Sequence, residues 1–183
     1  MRQLKHHEKK LLKKVDFFSW KSESNLREAH VIKKYLLQDR EDYKKYNKMV
    51  GNVTKLVARL KLLPQKDPLR KQISVDLLKK LDNMGIINDT SSLLAVEKLT
   101  VSSFCRRRLP VVMVRLKMSE TLKEATTFIE QGHVRVGPNA VTDPAFLVTK
   151  TFEDYVTWVD SSKIKRAIMT YNDKVDDFDL LGN

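Results

Sequence analysis

Apolar positions recur at helical spacing through the first half of this chain and give way to short alternating runs in the second. At the start, Leu4, Leu11, Leu12 and Val15 share one helical face with lysines between them, so residues 2–20 read as a basic helix. Phe17, Phe18 and Trp20 follow as an aromatic cluster that needs cover, either from the chain's own core or from a partner's groove. Asn25-Leu26-Arg27-Glu28 has capping-box spacing and predicts a helix through Leu26, Ala29, Tyr35 and Leu36. A longer helix over 40–63 is predicted from Val50, Val53, Val57 and Leu60, ended by Pro64 and Pro68. Lys66, Arg70 and Lys71 then read as a basic connector. A short helix over 74–84 turns Leu77, Leu78 and Leu81 inward, and Gly85 stops it.

From Leu109 the pattern tightens. Leu109, Val112, Met113 and Leu116 form one apolar face, and Pro110 suits the first turn, where no backbone donor is needed. Lys117-Met118-Ser119-Glu120 is a turn, and Thr121-Leu122-Lys123-Glu124 is a second capping box. Leu122, Ala125, Thr126 and Ile129 repeat the helical spacing, and Gly132 closes it. His133-Val134-Arg135-Val136 alternates as a half-buried strand does. Gly137-Pro138-Asn139 is a turn, the chain returns over 140–142, and Asp143-Pro144 breaks it. Strand-like runs resume over 146–148 and 155–159.

The expected fold class is α+β. A helical region spans 1–103, a compact module of two helices on a small sheet spans 104–165, and an acidic tail spans 166–183. Asp173, Asp176, Asp177 and Asp179 face only Lys174 in that tail.

Charge narrows the partner. The formal net charge is +12 and the pI is about 9.7, an imbalance that points to a polyanion. No run approaches the roughly 18 apolar residues of a membrane span, and the first ten residues lack the apolar stretch of a secretory signal. One cysteine, Cys105, excludes an internal disulfide and fits a reducing compartment, cytosol or nucleus.

Over 104–136 the chain sets seven cations, Arg106, Arg107, Arg108, Arg115, Lys117, Lys123 and Arg135, against three glutamates. The apolar faces of the two helices are committed to each other, which pushes these charges outward. Phosphate binding needs cations, open backbone N–H groups and polar side chains that fix register. The Thr121 helix start offers open N–H groups and a positive dipole end, flanked by Lys117 and Lys123. Arg106, Arg107 and Arg108 are expected to fork onto phosphates. His133 and Arg135 on the following strand are expected to stack on or contact a base.

These residues resemble a known family. Arg107-Arg108-Leu109, the turn, Thr121 with Ala125 and Ile129, Gly132-His133-Val134 with Val136, and then Pro144, are similar to the S-four RNA-binding domain. The likeness extends upstream, through 62–70 and 77–87, to the helical region that precedes this domain in the eukaryotic ribosomal protein. Two features depart from the ribosomal form: an acidic rather than basic end, and a lysine-rich aromatic start. With the run from Arg106 to Val112, the whole chain resembles the ribosomal-protein-like subunits of the U3 small nucleolar ribonucleoprotein. That resemblance implies a nucleolar, non-catalytic protein of the small-subunit processome. Its implied partners are U3 small nucleolar RNA, pre-ribosomal RNA and an M-phase phosphoprotein scaffold, the last expected on Leu11, Val15, Phe17, Phe18 and Trp20. The RNA-facing set is Arg106, Arg107, Arg108, Arg115, Lys117, Thr121, Lys123, His133, Arg135, Lys66, Arg70 and Lys71. The turn after Val136 is Gly-Pro-Asn rather than the family's more frequent Asn-Gly, so its tip is expected to differ in shape.

No chemistry competes with this reading. Cys105 sits beside arginines but has no histidine nearby in sequence, and is expected to be a packed small residue. His6, His7, His30 and His133 lack metal-ligand spacing. No glycine-rich phosphate loop is present. No cofactor, metal, membrane or small-molecule substrate is expected. The other readings are a mature ribosomal protein, an RNA-modifying enzyme carrying this domain as an appendage, and a DNA-binding helix-turn-helix.

Overall fold

A computed structural model describes residues 2–14 and 26–173. The expected partner residues Val15, Phe17, Phe18 and Trp20, the Asn25 cap and the acidic positions beyond Asp173 lie outside the described residues.

Four helices follow one another through the first half: α1 (His6–Lys14), α2 (Leu26–Tyr35), α3 (Arg40–Leu62) and α4 (Pro68–Asn83). The apolar stripe predicted for α3 buries Val57 and Leu60, with Val50 and Val53 packed at its edges. Helix α4 begins earlier than its leucines suggest. Asp67 accepts a bond from the Leu69 N–H at 2.9 Å and Pro68 occupies the first turn, a strong start because proline's fixed φ is already helical. Pro64 alone therefore ends α3, and the expected basic connector is corrected. Lys66 stays between the helices, whereas Arg70 and Lys71 lie on α4, with Arg70 Nη1 donating to the Leu63 carbonyl at 2.6 Å. Gly85 stops the helix with φ +66, a left-handed conformation that side chains resist.

Two short helices, α5 (Leu94–Glu97) and α6 (Val101–Cys105), precede α7 (Leu109–Arg115) and α8 (Leu122–Glu130). The sheet holds β1 (Val134–Val136), β2 (Asn139–Ala140) and β3 (Val156–Trp158) in the order β2-β1-β3, antiparallel throughout. The expected strand over 146–148 reduces to a single bridge between Arg108 and Leu147. The β1–β2 turn has two central residues, with Gly137 at φ +62 followed by Pro138. That order suits a type II′ hairpin, in which the first position needs positive φ and the second tolerates proline. The fold is thus the expected α+β, with one difference at the end. Ser162 accepts from the Ile164 N–H at 3.2 Å and starts a ninth described helix, α9 (Lys163–Tyr171), where a tail from 166 was expected.

Three cores hold these elements. Leu109, Val112, Met113, Ala125, Ile129, Val134, Val148 and Val156 pack beneath α7, α8 and the sheet. Tyr35, Leu37, Tyr46, Val101, Phe104 and Cys105 pack between α2, α3 and α6. Val57, Leu78, Leu81, Ile87, Val96 and Leu99 form the third, around α3 and α4. Phe104 and Cys105 therefore belong to the helical region, and the RNA-type module starts just after them.

Candidate RNA interface

The turn between α7 and α8 is shaped by backbone bonds. Met118 N–H reaches back to Met113 O at 3.0 Å, and Lys117 sits at φ +60. A lysine in the left-handed region is strained by roughly 1–2 kcal/mol. Thr121 then caps α8: its Oγ1 accepts from the Glu124 N–H at 3.2 Å, and Glu124 Oε2 accepts from the Thr121 N–H at 3.3 Å. The box satisfies two donors and leaves the N–H groups of Leu122 and Lys123 facing outward at the positive end of the helix. Ala125 and Ile129 are buried beneath.

Arg106, Lys117 and Lys123 are exposed, and their side chains have no hydrogen-bond or ion-pair partner among the described residues; Lys117 and Lys123 flank the capped start of α8 in sequence. Arg115 is half-exposed and pairs with Glu153.

The other expected contacts are arranged differently. Arg107 and Arg108 were expected outside with Arg106, but both side chains are buried, 5% and 2% exposed. Arg107 Nε donates to the Val148 carbonyl at 2.9 Å and Nη1 to Glu153 Oε2 at 2.9 Å. Arg108 Nη1 donates to Asp42 Oδ2 at 2.8 Å and to the Tyr46 hydroxyl at 3.1 Å. The reason is local. The Arg108–Leu147 bridge and the Val148 N–H bond to the Arg107 carbonyl (2.8 Å) hold this segment against 147–148, with Arg107 directed to Val148, Glu153 and Gly85 and Arg108 to Asp42 and Tyr46 of α3. Burial opposes the charge on Arg108, but its bonds to Asp42 and Tyr46 prevail and hold its pKa above the ordinary value. Burial likewise pushes the Cys105 thiol up to about 11 against the pull of Arg108, which leaves it a poor nucleophile.

His133 and Arg135 are also engaged. His133 Nδ1 lies 3.1 Å from Ser162 Oγ. Arg135 donates from Nε to Thr157 Oγ1 at 3.0 Å and from Nη1 to Asp160 Oδ2 at 2.5 Å. Lys165 first, then Arg135, hold the Asp160 carboxyl below the usual carboxylate range. The strand after α8 is thus braced by α9 and its leading loop. Lys66, Arg70 and Lys71 lie on and beside α4, away in sequence from the α8 surface. On α1, Leu11 is 51% exposed and none of the helix is buried.

Asp42, Tyr46 and Glu153 carry no signal in the sequence, and Gly85 shows there only as a helix stop, not as the residue that admits Arg107. Each is a common surface or helix-end residue by local pattern, and each matters only through an arginine distant in sequence. Among the described residues no group of His, Cys, Asp and Glu could hold a metal ion, and no helix is long and apolar enough to cross a membrane.

Comparison with known proteins matches both regions. Residues 3–106 fit the ribosomal protein S4/S9 N-terminal domain, and residues 107–153 fit the S4 domain. The chain is 54% identical over 181 residues to U3 small nucleolar ribonucleoprotein protein IMP3 of Saccharomyces cerevisiae, covering 98% of this chain and 99% of that one. The Homo sapiens protein of the same name is 53% identical over 181 residues, covering 98% of each chain. The small ribosomal subunit protein uS4 of Picrophilus torridus is 28% identical over 145 residues, 78% of this chain and 79% of that one. A helical region welded to an S4 domain, and full-length likeness to these ribonucleoprotein subunits, establish that the chain belongs to the family of the U3 small nucleolar ribonucleoprotein protein IMP3.

Proposed function

We propose that this chain is a non-catalytic RNA-binding subunit of the U3 small nucleolar ribonucleoprotein, acting in the nucleolus during small-subunit ribosomal RNA processing. Within that role it promotes pairing of U3 small nucleolar RNA with pre-ribosomal RNA. The observation behind the reading is the cationic rim of Arg106, Lys117 and Lys123, all exposed and without side-chain partners among the described residues, two of which flank the capped start of α8 in sequence. Two RNA strands repel through their phosphates. A surface that neutralises several phosphates at once, with helix N–H groups fixing position, lowers that repulsion and needs no covalent step. Strand annealing tests it. The full chain accelerates duplex formation between a U3 fragment and its complementary pre-ribosomal strand, and the Arg106→Ala, Lys117→Ala, Lys123→Ala triple variant loses most of the acceleration. An equal rate with both proteins counts against the surface.

The α1 face supports a second contact. Leu11 and Leu12 on α1 are 51% and 50% exposed, and Leu4 just before the helix is 40% exposed, apolar positions that suit the groove of an M-phase phosphoprotein scaffold. Removal of residues 1–20 then abolishes scaffold binding and spares RNA affinity; retained scaffold binding rules out this docking site. Sedimentation separates the leading reading from a mature ribosomal role. The protein travels with pre-ribosomal particles rather than with translating subunits.

A further inference from the structure

A second concave surface lies at the joint between the regions. The last turns of α4 and the loop after Val148 enclose a groove of about 550 Å3. Its α4 wall carries Lys79, Lys80 and Asn83, with one acid, Asp76. Its other wall carries Thr149, Thr151 and Phe152, the phenyl ring 47% exposed. The walls are tied together, since Lys150 N–H donates to the Asn83 carbonyl at 3.0 Å and Lys150 Nζ to Asp82 Oδ1 at 3.0 Å. The groove is therefore held in shape before any ligand arrives.

Met84 and Thr149 also line a smaller cavity of about 100 Å3. Its walls are apolar, from Ile86, Phe104 and Leu147, apart from Arg107. The buried Arg107 has one unpartnered donor, Nη2. Leaving a buried donor unpaired costs about 1–3 kcal/mol, a cost this arginine carries inside the protein, out of reach of a ligand. Gly85 admits the guanidinium here: a Cβ at that position would stand 2.8 Å from Arg107 Cζ.

We propose that this groove binds a single-stranded RNA segment, with phosphates on Lys79 and Lys80 and one base stacked on Phe152. The exposed phenyl ring beside two lysines is the pairing of stacking platform and backbone cation that single strands use. RNA as the partner class is taken over from the reading above, but the α8 rim is not involved. Two separate surfaces would let one chain hold two strands at high effective concentration.

The test uses the full chain and an eight-nucleotide oligouridylate, followed by fluorescence anisotropy across a salt series. Phe152→Ala weakens binding between about 5-fold and 150-fold, the range of one lost base stack, and Phe152→Trp restores it. Lys79→Ala with Lys80→Ala lowers the log-affinity against log-salt slope by about 1.4, or about 0.7 per phosphate on a single strand. Met84 lines the groove, so in unaltered protein its 13C-methyl resonance shifts on titration with the oligonucleotide. Unchanged affinity for Phe152→Ala, or a Met84 signal that moves only with an acidic or apolar peptide, overturns the proposal. Loss of binding in the Arg106, Lys117, Lys123 variant with no effect at Phe152 leaves the α8 reading intact and removes the groove alone.

Discussion

Arg106 and its two neighbours are the same residue type in one unbroken run, yet they belong to different regions of the molecule. Arg106, like Lys117 and Lys123 of the proposed rim, is exposed with no side-chain partner among the described residues. Arg107 and Arg108 enter the seam between the helical region and the S4 domain, where each finds a carboxylate and a second oxygen acceptor. The difference teaches that a basic run is not a single electrostatic object. A rim cation is solvated and contributes little to stability, about 0–1 kcal/mol when paired. A seam cation has left water, so removing either member of its pair strands the other. Binding function is therefore expected to follow the rim and folding the seam.

The sharpest way to break that division is at Arg108. Arg108→Ala leaves Asp42 and Tyr46 buried without their donor and is expected to cost about 3–5 kcal/mol in denaturant unfolding. Pairing Arg108→Met with Asp42→Leu recovers much of that loss, since an apolar replacement of a buried pair is often neutral. A loss below 1 kcal/mol for Arg108→Ala means the seam does not hold the regions together. Next in size is Gly85→Ala. It forces a side chain into φ +66 and against Arg107, at about 2 kcal/mol, read as a lowered Tm.

On the rim the expected signs reverse. Lys117→Gly relieves the left-handed strain and raises stability by up to about 1 kcal/mol. RNA binding nonetheless weakens, with its salt slope reduced by about 0.7–0.9. Stability and binding moving in opposite directions is an outcome no purely structural role of Lys117 produces. The smallest effect is at Asp160. Its carboxyl is held below its ordinary range by Lys165 and Arg135, so its contribution is present above the unfolded carboxylate pKa and is lost as pH falls through the depressed value. Asp160→Asn is accordingly expected to lower Tm slightly at neutral pH, with the gap closing in acid.

Much of the architecture was legible because local signals agreed. The Thr121–Glu124 box, the Pro110 start and the Gly132 stop are short-range chemistry, and they fixed α7 and α8. The hairpin over 134–140 followed from alternation and a turn pair. The start of α4 is less legible: three leucines late in the helix point to 74–84, although Asp67-Pro68 carries the stronger start signal. Helix α9 was overlooked in the approach to an acidic end, where Ser162 was the one available cue. The burial of Arg107 and Arg108 had no local cue at all. It depends on Asp42, 66 residues away in sequence, and on Glu153, 46 residues away.

Replacing Arg106, Arg107 and Arg108 together would confuse binding with folding, so the decisive comparison uses Arg106→Ala, Lys117→Ala and Lys123→Ala in one chain. Its affinity for a U3 RNA fragment is measured across a salt series, with Tm recorded alongside. The rim account predicts a log-affinity against log-salt slope smaller by about 2–3 at an essentially unchanged Tm. A slope equal to that of the unaltered chain would contradict it.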